Sequence, residues 1–302
     1  MKQVLILCRR EDRSDYDRKD AFSENFAHMQ SKNAYTIAEF EDLLFVYDGD
    51  QLSVVDTVSG KDVADFDTVF MLGWFKTGVL CDTAKATTHY AKRRGIGVVN
   101  TEAHTSRSVS KLSQLVIAHD NGFPVTPFVF SLDTAVLSRA LDKHSSILGD
   151  PFILKAVNGN KGNDNYLVDA SNAHEIIEDQ NHDVLFIAQW YVPNDGDLRV
   201  IVMGSDVQLV MHRSAAQGSH LNNTSKGGEA AMIDPNELPG ELRDASVALA
   251  HAFGKEVAGI DVIQHSTTGE YYFLEINNMP QLATGSFVAQ KLQALDSYLA
   301  EL

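Results

Sequence analysis

Apolar and polar residues follow one another along this chain in short blocks, which switch between a strand period and a helix period. In the opening third, the pattern predicts a strand over 4–8, a charged loop over 9–20 and a hairpin in LLFVYDGDQLSVVD, where Asp48 and Gly49 give a strong turn signal. A strand in DTVFML, a helix over 83–94 and a strand in GIGVVN follow. Such alternation is typical of an α/β lobe.

From residue 108 onward, the predicted strands come in pairs between helices. A helix begins with Ser110 as its N-cap and ends at Asn121 and Gly122. The pattern then predicts strands in PVTPFVF, PFILKAV, YLVD, VLFIAQWYV, LRVIVMG, QLVMHRSA, VAGIDVIQ and YYFLEINN. It predicts helices between them over 134–143, 173–179 and 240–255, and a closing helix over 286–302. The predicted fold class is therefore α/β, with α+β lobes.

Composition narrows the class of protein. A chain of 302 residues with 44% hydrophobic content can bury more than one core, so we expect two or three lobes. The formal charge of −16 argues against a nucleic acid or an anionic membrane as partner, because binding either needs clustered Lys and Arg. No apolar run approaches the ~20 residues of a membrane span. We expect a cytoplasmic protein in which Cys8 and Cys81 are reduced.

Acidic and amide side chains interrupt two apolar segments near the end of the chain. Glu275 and Asn277 are two residues apart in YYFLEINN, so they share one face of the predicted strand. If this strand pairs with VAGIDVIQ, Asp261 faces Glu275 across the ladder. Two carboxylates and an amide oxygen suit Mg²⁺. The alternative for each acid is a salt bridge or an exposed strand end, and the three together favour the metal site.

Two lysines are candidates for binding phosphate. Lys155 interrupts PFILKAV, where a buried ammonium needs an anionic partner, and the Gly- and Asn-rich loop NGNKGNDN follows it. Lys111 lies in the first turn of its helix, where the helix dipole disfavours a cation. Taken alone, Lys111 fits an exposed surface position better, and the loop fits an ordinary turn. Neither lysine lies in a GxxxxGK[ST] segment, which excludes a P-loop.

Charged residues also occupy the strands between these landmarks. Asp197 and Arg199 share one face of a predicted strand, and Arg213 lies in the next one. Arg213 can form an ion pair with Asp197 or another acid, or it can bind an anionic ligand through its guanidinium. The residues favour neither alternative.

The order of these segments resembles a known family. Lys111, PFILK, AQWYV with DLR, HRSAAQG through NNTSKGG, GIDV and LEINNMP resemble the ATP-grasp carboxylate–amine ligases, most closely the RimK-like branch that adds glutamate to a peptide or protein terminus. The resemblance covers roughly residues 105–290. It implies an ATP-grasp fold with an N-terminal α/β pre-ATP-grasp domain (1–105), a small subdomain (106–187) and a C-terminal subdomain with the metal site (188–302).

The resemblance also implies a role for each candidate residue. The phosphates of ATP would be contacted by Lys111 and Lys155, the ribose by Asp197, and adenine by the backbone of Gln189, Trp190, Tyr191 and Val192. Catalysis at the transferred phosphoryl and acyl groups is assigned to Arg199, Arg213 and Asn223. Magnesium, or manganese in its place, would be held by Asp261, Glu275 and Asn277.

Members of this family join a carboxylate to an amine. The carboxylate attacks the γ-phosphate of ATP to give an acyl phosphate, which the amine then attacks. The resemblance therefore implies an ADP-producing ligase that acts on an amino acid, a peptide or a protein tail, and an assembly into dimers or tetramers. Trp190 stands where the adenine hinge usually has an acidic residue, and Leu221 stands where an Arg is common, so the acceptor stays open.

Other functions are compatible with parts of the pattern. An ATP-grasp macrocyclase of a ribosomal peptide would share the same core. A non-catalytic ATP sensor or scaffold would share the fold, although such a module needs fewer metal ligands than Asp261, Glu275 and Asn277 provide. A Rossmann-type dehydrogenase is excluded, because no GxGxxG follows Cys8.

Overall fold

The computed structural model describes residues 1–10, 17–73, 79–100, 110–157, 164–179, 184–215, 228–277 and 279–302. Within these ranges, the chain forms a parallel sheet, two antiparallel sheets and a separate hairpin. Every helix in the described ranges is too short or too polar to cross a bilayer.

The strands and helices follow in chain order. The strands are β1 (Gln3–Cys8), β2 (Ala34–Glu39), β3 (Leu43–Tyr47), β4 (Leu52–Asp56), β5 (Thr68–Met71), β6 (Gly97–Val99), β7 (Phe128–Phe130), β8 (Phe152–Ala156), β9 (Asn165–Val168), β10 (Phe186–Trp190), β11 (Asp197–Met203), β12 (Asp206–Ser214), β13 (Glu229–Ile233), β14 (Val257–Gln264) and β15 (Tyr271–Asn277). The helices are α1 (Lys19–Ala27), α2 (Val79–Arg93), α3 (Lys111–Asp120), α4 (Thr134–Lys143), α5 (Ser145–Leu148), α6 (Ala170–Asp179), α7 (Gly240–Ala252) and α8 (Val288–Glu301).

The N-terminal lobe is built on a parallel sheet with the order β2-β1-β5-β6. Its central strand β1 is almost fully buried, as expected for a strand covered on both faces. One face packs against Tyr90 and Ala91 of α2, and the other packs against Phe22 of α1 and against α8. The predicted hairpin is confirmed as β3 and β4, which pair only with each other among the described strands.

A smaller lobe consists of the sheet β7-β10-β8-β9 with α4 and α6 packed on it. The core between them contains Leu137, Leu154 and Ile177. The lobe places β8, which contains Lys155, beside β10, which ends at Trp190.

The five-stranded sheet, in the order β13-β12-β11-β14-β15, positions the candidate site. On one face, Val200 and Ile260 lie in a core formed with α3 and α7. On the opposite face, Ile201 and Met203 pack with α8 and the N-terminal lobe. Further along that same face the apolar side chains give way to charged ones, so the sheet is half core and half polar site.

Most predicted elements are confirmed, with differences at their ends. The predicted helix over 134–143 matches α4, whereas α2 begins at Val79 and α6 at Ala170, before the predicted starts. The prediction of a loop over 9–20 is wrong at its end, because α1 begins at Lys19. The predictions omitted α1, β2, α5 and β13. The helix α1 has only Phe22 buried, and β13 is largely exposed, so neither has a strong apolar period. The predicted boundary at 187/188 falls inside β10, and the domain division stays a prediction.

Candidate functional site

The register of the five-stranded sheet brings the predicted charged residues together on one face. Arg199 of β11 lies opposite Asp261 of β14, and Asp261 lies opposite Glu275 of β15. Asp197 of β11 lies opposite Arg213 of β12. The predicted pairing of Asp261 with Glu275 is therefore confirmed.

Two arginines share Asp261. Arg213 donates from Nε and Nη2 to the carboxylate of Asp197 at 2.8 and 2.7 Å, and its Nη2 also lies 3.0 Å from Oδ2 of Asp261. Arg199 donates from Nη2 to Oδ2 of Asp261 at 3.0 Å and from Nε to Oδ1. Of the two alternatives for Arg213, the ion pair with Asp197 is formed. Burial alone would raise the pKa of Asp261, but Arg199 and Arg213 outweigh burial and hold that pKa below its usual range.

Glu275 and Asn277 lie at the end of β15, next to this network. The Nδ2 of Asn277 donates to Oε1 of Glu275 at 3.1 Å, which leaves the amide oxygen of Asn277 as its remaining polar atom. Among the described residues, no three His, Cys, Asp or Glu side chains could hold a metal ion by themselves. The predicted magnesium set therefore relies on two carboxylates and the Asn277 oxygen, a donor set that suits Mg²⁺ when phosphate oxygens and water complete the shell.

Gln114 was not singled out from the sequence, yet it fixes the strand that carries Glu275 and Asn277. Its side chain accepts the N–H of Ile276 at 2.9 Å and donates to the carbonyl of Ile276 at 3.3 Å. Gln114 lies in α3, which begins at Lys111, with Ser110 as its N-cap. No signal in the sequence identifies Gln114, because its burial and its partner depend on the tertiary fold.

The two predicted lysines lie close to the acids. Lys155 is only 8% exposed, and burial, reinforced by the charge of Lys111, lowers its pKa to about 8, while Glu275 and Asp261 act in the opposite direction. Burial also lowers the pKa of Lys111, and Glu275 opposes that shift. These effects require that the four charges lie within electrostatic reach. Lys111 is therefore part of this cluster and is not an exposed surface lysine.

The cluster as a whole has an excess of positive charge. It contains four cations and three anions, namely Lys111, Lys155, Arg199 and Arg213 against Asp197, Asp261 and Glu275. Several of these groups are buried, so the excess is poorly screened by water. A polyanion with a bound divalent cation is a ligand that such a site would stabilise.

The predicted adenine hinge lies at the end of β10. The Gln189 side chain is buried and donates to Oγ1 of Thr126 at 2.8 Å, and the Trp190 N–H donates to the carbonyl of Pro127 at 2.9 Å. Val192 is 3% exposed, and its N–H has no acceptor among the described residues.

Trp190 and Tyr191 are half-buried. The Trp190 ring stacks on His265, with centroids 5.7 Å apart, and meets the edge of Tyr272 at 5.6 Å. Trp190 is thereby held between the small lobe and the hairpin of β14 and β15.

Some predicted residues lie outside the described ranges. These are Asn223, Leu221 and most of the loop NGNKGNDN. At the described end of that loop, Asp164 has a φ of 50°, in the left-handed region where glycine is usual.

Comparison with known proteins gives a family match. The model of the RimK-like ATP-grasp domain matches residues 108–294, which include every described residue of the cluster. The expected resemblance and the expected ATP-grasp fold are both confirmed.

Curated relatives match over part of their length. A probable alpha-L-glutamate ligase of Alkalilimnicola ehrlichii is 31% identical over 207 residues, which are 65% of this chain and 65% of that protein. A probable alpha-L-glutamate ligase of Parasynechococcus marenigrum is 32% identical over 216 residues, which are 68% of this chain and 44% of that protein. The match thus spans less than two thirds of either relative.

Solved structures are similar over the whole chain. The ATP-grasp ligase PsnB, complexed with a minimal precursor, has a TM-score of 0.68 at 17% identity and covers 100% of this chain and 99% of its own. The D-alanyl-alanine synthetase A of Vibrio cholerae has a TM-score of 0.66 at 13% identity, covering 99% and 96%. At these identities the similarity establishes the fold.

Proposed function

Because this chain belongs to the RimK-like ATP-grasp family, whose model matches residues 108–294, we propose that it is an ATP-dependent ligase that joins a carboxylate to an amine. A carboxylate oxygen of one substrate bonds to the γ-phosphorus of ATP as the bond to ADP breaks. The amine nitrogen of the second substrate then bonds to the acyl carbon, loses a proton and expels phosphate. The product contains a new amide bond, which is either a peptide bond or an isopeptide bond.

The observation that carries the proposal is the cluster on the five-stranded sheet. Lys111, Lys155, Arg199 and Arg213 converge on Asp261 and Glu275 from three different parts of the fold. Transfer of a phosphoryl group from ATP to a carboxylate is accelerated chiefly by positioned cations, and this reaction needs no protein nucleophile. The described cluster meets that requirement.

Individual residues receive the following roles. Lys155 and Lys111 bind phosphate oxygens, and both gain stability when an anion offsets their burial. Arg213 and Arg199 neutralise charge on the transferring phosphoryl group while Asp197 and Asp261 hold their guanidinium planes. The family resemblance also assigns Asp197 to the ribose of ATP. Asn223 is assigned to the acyl group through the family resemblance alone.

The metal and nucleotide base also have candidate partners. Asp261, Glu275 and Asn277 would hold Mg²⁺, or Mn²⁺ in its place, and the ion would supply further neutralisation of the triphosphate. The Val192 N–H would bind adenine. The presence of Mg and ADP in a PsnB complex supports this assignment.

We propose an amino acid or a peptide as substrate. The glutamate ligases among the relatives favour an amino acid, whereas the precursor complexes of PsnB and of the macrocyclase MdnC favour a peptide. A cytoplasmic location and a dimeric or tetrameric assembly are compatible with this function.

The test is a screen for release of ADP and phosphate by the purified chain with Mg-ATP. Amino acids, dipeptides and acidic peptides are supplied in separate pools, and products are identified by mass spectrometry as a condensation with loss of water. Release that depends on one pool supports the ligase and identifies its substrate class. Tight ATP binding without release from any pool would instead support the ATP sensor or scaffold.

Glu275→Gln is the matched probe of the metal assignment. It removes one charge and keeps an oxygen that can accept the Asn277 amide, so we expect loss of turnover by a factor of at least ~100. Glu270→Gln, on the exposed turn of the same hairpin, serves as control and should keep wild-type turnover. An unaltered rate for Glu275→Gln at saturating Mg²⁺ would remove Glu275 from the metal site.

A further inference from the structure

The segment 279–287 connects β15, where the proposed metal ligands end, to α8. Leu282 and Ala283 within it are buried in the core shared by the N-terminal lobe and the five-stranded sheet. We call this segment the 279–287 loop. It begins two residues after Asn277, so its conformation bears directly on the end of β15.

Asp17 of the N-terminal lobe binds this loop through three consecutive residues. Its carboxylate accepts the N–H of Leu282 at 2.7 Å, the N–H of Ala283 at 2.8 Å and the hydroxyl of Thr284 at 3.4 Å. Asp17 is 1% exposed. A buried carboxylate that accepts backbone donors with both oxygens fixes the path of those residues.

Lys291 of α8 holds the same loop from the other side. Lys291 is 2% exposed. Its ammonium donates to the carbonyl of Thr284 at 2.7 Å and also to the carbonyl of Gln281. The loop is thus held through its N–H groups by Asp17 and through its carbonyls by Lys291.

The backbone of the loop needs such support. Gln281 and Phe287 adopt φ values of 60° and 57°, which are uncommon for residues with a side chain and persist only when surrounding contacts impose them. Pro280 lies against Gly259 of β14, where an added Cβ would be 2.7 Å from the Pro280 Cβ and 2.9 Å from the Cδ of Arg199. The loop therefore packs beside the arginine that binds Asp261.

We propose that Asp17, together with Lys291, is a positioning residue that holds the 279–287 loop so that Arg199, Asp261 and Asn277 keep the geometry that binds Mg²⁺ and nucleotide. The N-terminal lobe then contributes to metal binding although it supplies none of the proposed ligands. This inference rests on the proposed function. It assigns to Asp17 a role that acts through the loop and not through contact with substrate.

The test compares Asp17→Asn with a matched control, Asp296→Asn. Asp296 is also a buried carboxylate, and it lies on α8 where this helix packs on the N-terminal lobe. It accepts the N–H of Lys32 at 2.7 Å and the hydroxyl of Tyr35 at 2.8 Å. Among the described residues, the hydrogen-bond partners of its carboxylate lie in 32–35 and not in the 279–287 loop. Both substitutions remove one buried charge at an equivalent interface, so a general loss of stability should affect both.

Two measurements are made on each variant. Hydrogen exchange followed by mass spectrometry reports the protection of the Leu282 and Ala283 amides. Calorimetric titration with ADP at a series of Mg²⁺ concentrations reports the Mg²⁺ concentration needed for half-maximal nucleotide affinity. For Asp17→Asn we expect faster exchange in the loop and a rise of about tenfold in that Mg²⁺ concentration, as for other residues that orient metal ligands. Asp296→Asn should change neither.

Lys291→Met provides a second variant if Asp17→Asn does not fold. It removes the donor to the carbonyls of Gln281 and Thr284 and leaves Asp17 in place, and we expect the same two changes. Unchanged exchange in the loop, or faster exchange with an unchanged Mg²⁺ dependence, would overturn the positioning role. If the wild-type chain binds no nucleotide at any Mg²⁺ concentration, the proposed function itself fails, and the inference fails with it.

Discussion

Lys155 carries a charge at a position where burial opposes it, and this residue shows how the site gives up stability for binding. Its pKa is lowered to about 8 by burial and by Lys111. The charged form is therefore destabilised until an anion is bound. The same reasoning applies to Lys111, whose pKa burial also lowers.

Replacement of this ammonium should separate stability from binding. We expect Lys155→Met to raise the free energy of unfolding of the ligand-free chain by ~1–3 kcal/mol at neutral pH, because a buried charge is removed. It should also weaken ATP binding at least ~10-fold. Urea unfolding and calorimetry measure the two effects.

Lys143→Met, on the exposed end of α4 in the same lobe, is the control and should leave both quantities unchanged. Retained ATP affinity in Lys155→Met would count against the assignment of Lys155 to phosphate binding.

The residues that sequence reasoning identified share one property. Asp261, Glu275 and Lys155 each interrupt an apolar strand, and a charge in such a position requires a partner. The sequence could not identify Asp17 or Gln114, because their partners Leu282 and Ile276 lie far away along the chain and their own surroundings are unremarkable in pattern.

At the scale of secondary structure, the helix α3 and the strand β15 act as one unit. Gln114 supplies both hydrogen bonds to the Ile276 backbone, and Ile276 separates Glu275 from Asn277. Lys111 lies one turn before Gln114 on the same helix, so the helix fixes a cation and two proposed metal ligands together.

Shortening the Gln114 side chain should weaken the attachment of α3 to β15. We expect Gln114→Ala to lower the free energy of unfolding by ~1–3 kcal/mol, because the backbone N–H and carbonyl of Ile276 lose their buried partner. We also expect weaker Mg²⁺-dependent nucleotide binding. Chemical denaturation and calorimetry test both effects.

Ser110→Ala removes the N-cap of the same helix and is the matched control. It should lower stability by about 1 kcal/mol without changing the Mg²⁺ dependence. Equal effects of the two substitutions on Mg²⁺ dependence would mean that Gln114 matters only through the stability of α3.

The type and order of the elements were largely predictable, and their pairing was only partly so. The hairpin of β14 and β15 could be predicted because both strands are long, apolar and joined by a short turn at Thr268 and Gly269. The elements α1 and β13 could not, because tertiary contacts and not their own apolar period stabilise them.

At the scale of the whole molecule, two buried lysines link stability to pH. Burial lowers the pKa of Lys155 to about 8, and burial likewise lowers that of Lys291 to about 8, although Asp17 opposes the shift. Between about pH 8 and pH 10 the unfolded chain keeps protons that the folded chain has lost. These two groups therefore make the free energy of unfolding rise with pH in that window, by up to ~1.4 kcal/mol per pH unit each.

A comparison of the wild type with a lysine variant isolates the contribution of Lys291 to this pH dependence. Burial raises the pKa of Cys8 and acts in the opposite sense, so we compare the slope of stability against pH for the wild type and for Lys291→Met. The wild-type slope should be the steeper of the two between about pH 8 and pH 10, measured by urea unfolding at fixed ionic strength. Identical slopes would show that the pKa of Lys291 is not lowered in the folded chain.

The central claim for the molecule is that a substrate carboxylate is activated as an acyl phosphate. Once the substrate pool is known, the most direct measurement uses that substrate with ¹⁸O in its carboxylate and analyses the released phosphate by mass spectrometry. The account predicts one ¹⁸O atom in the phosphate for each amide bond formed, and labelled phosphate that falls in proportion to turnover in Glu275→Gln. Phosphate without ¹⁸O, or ¹⁸O in AMP, would contradict the mechanism.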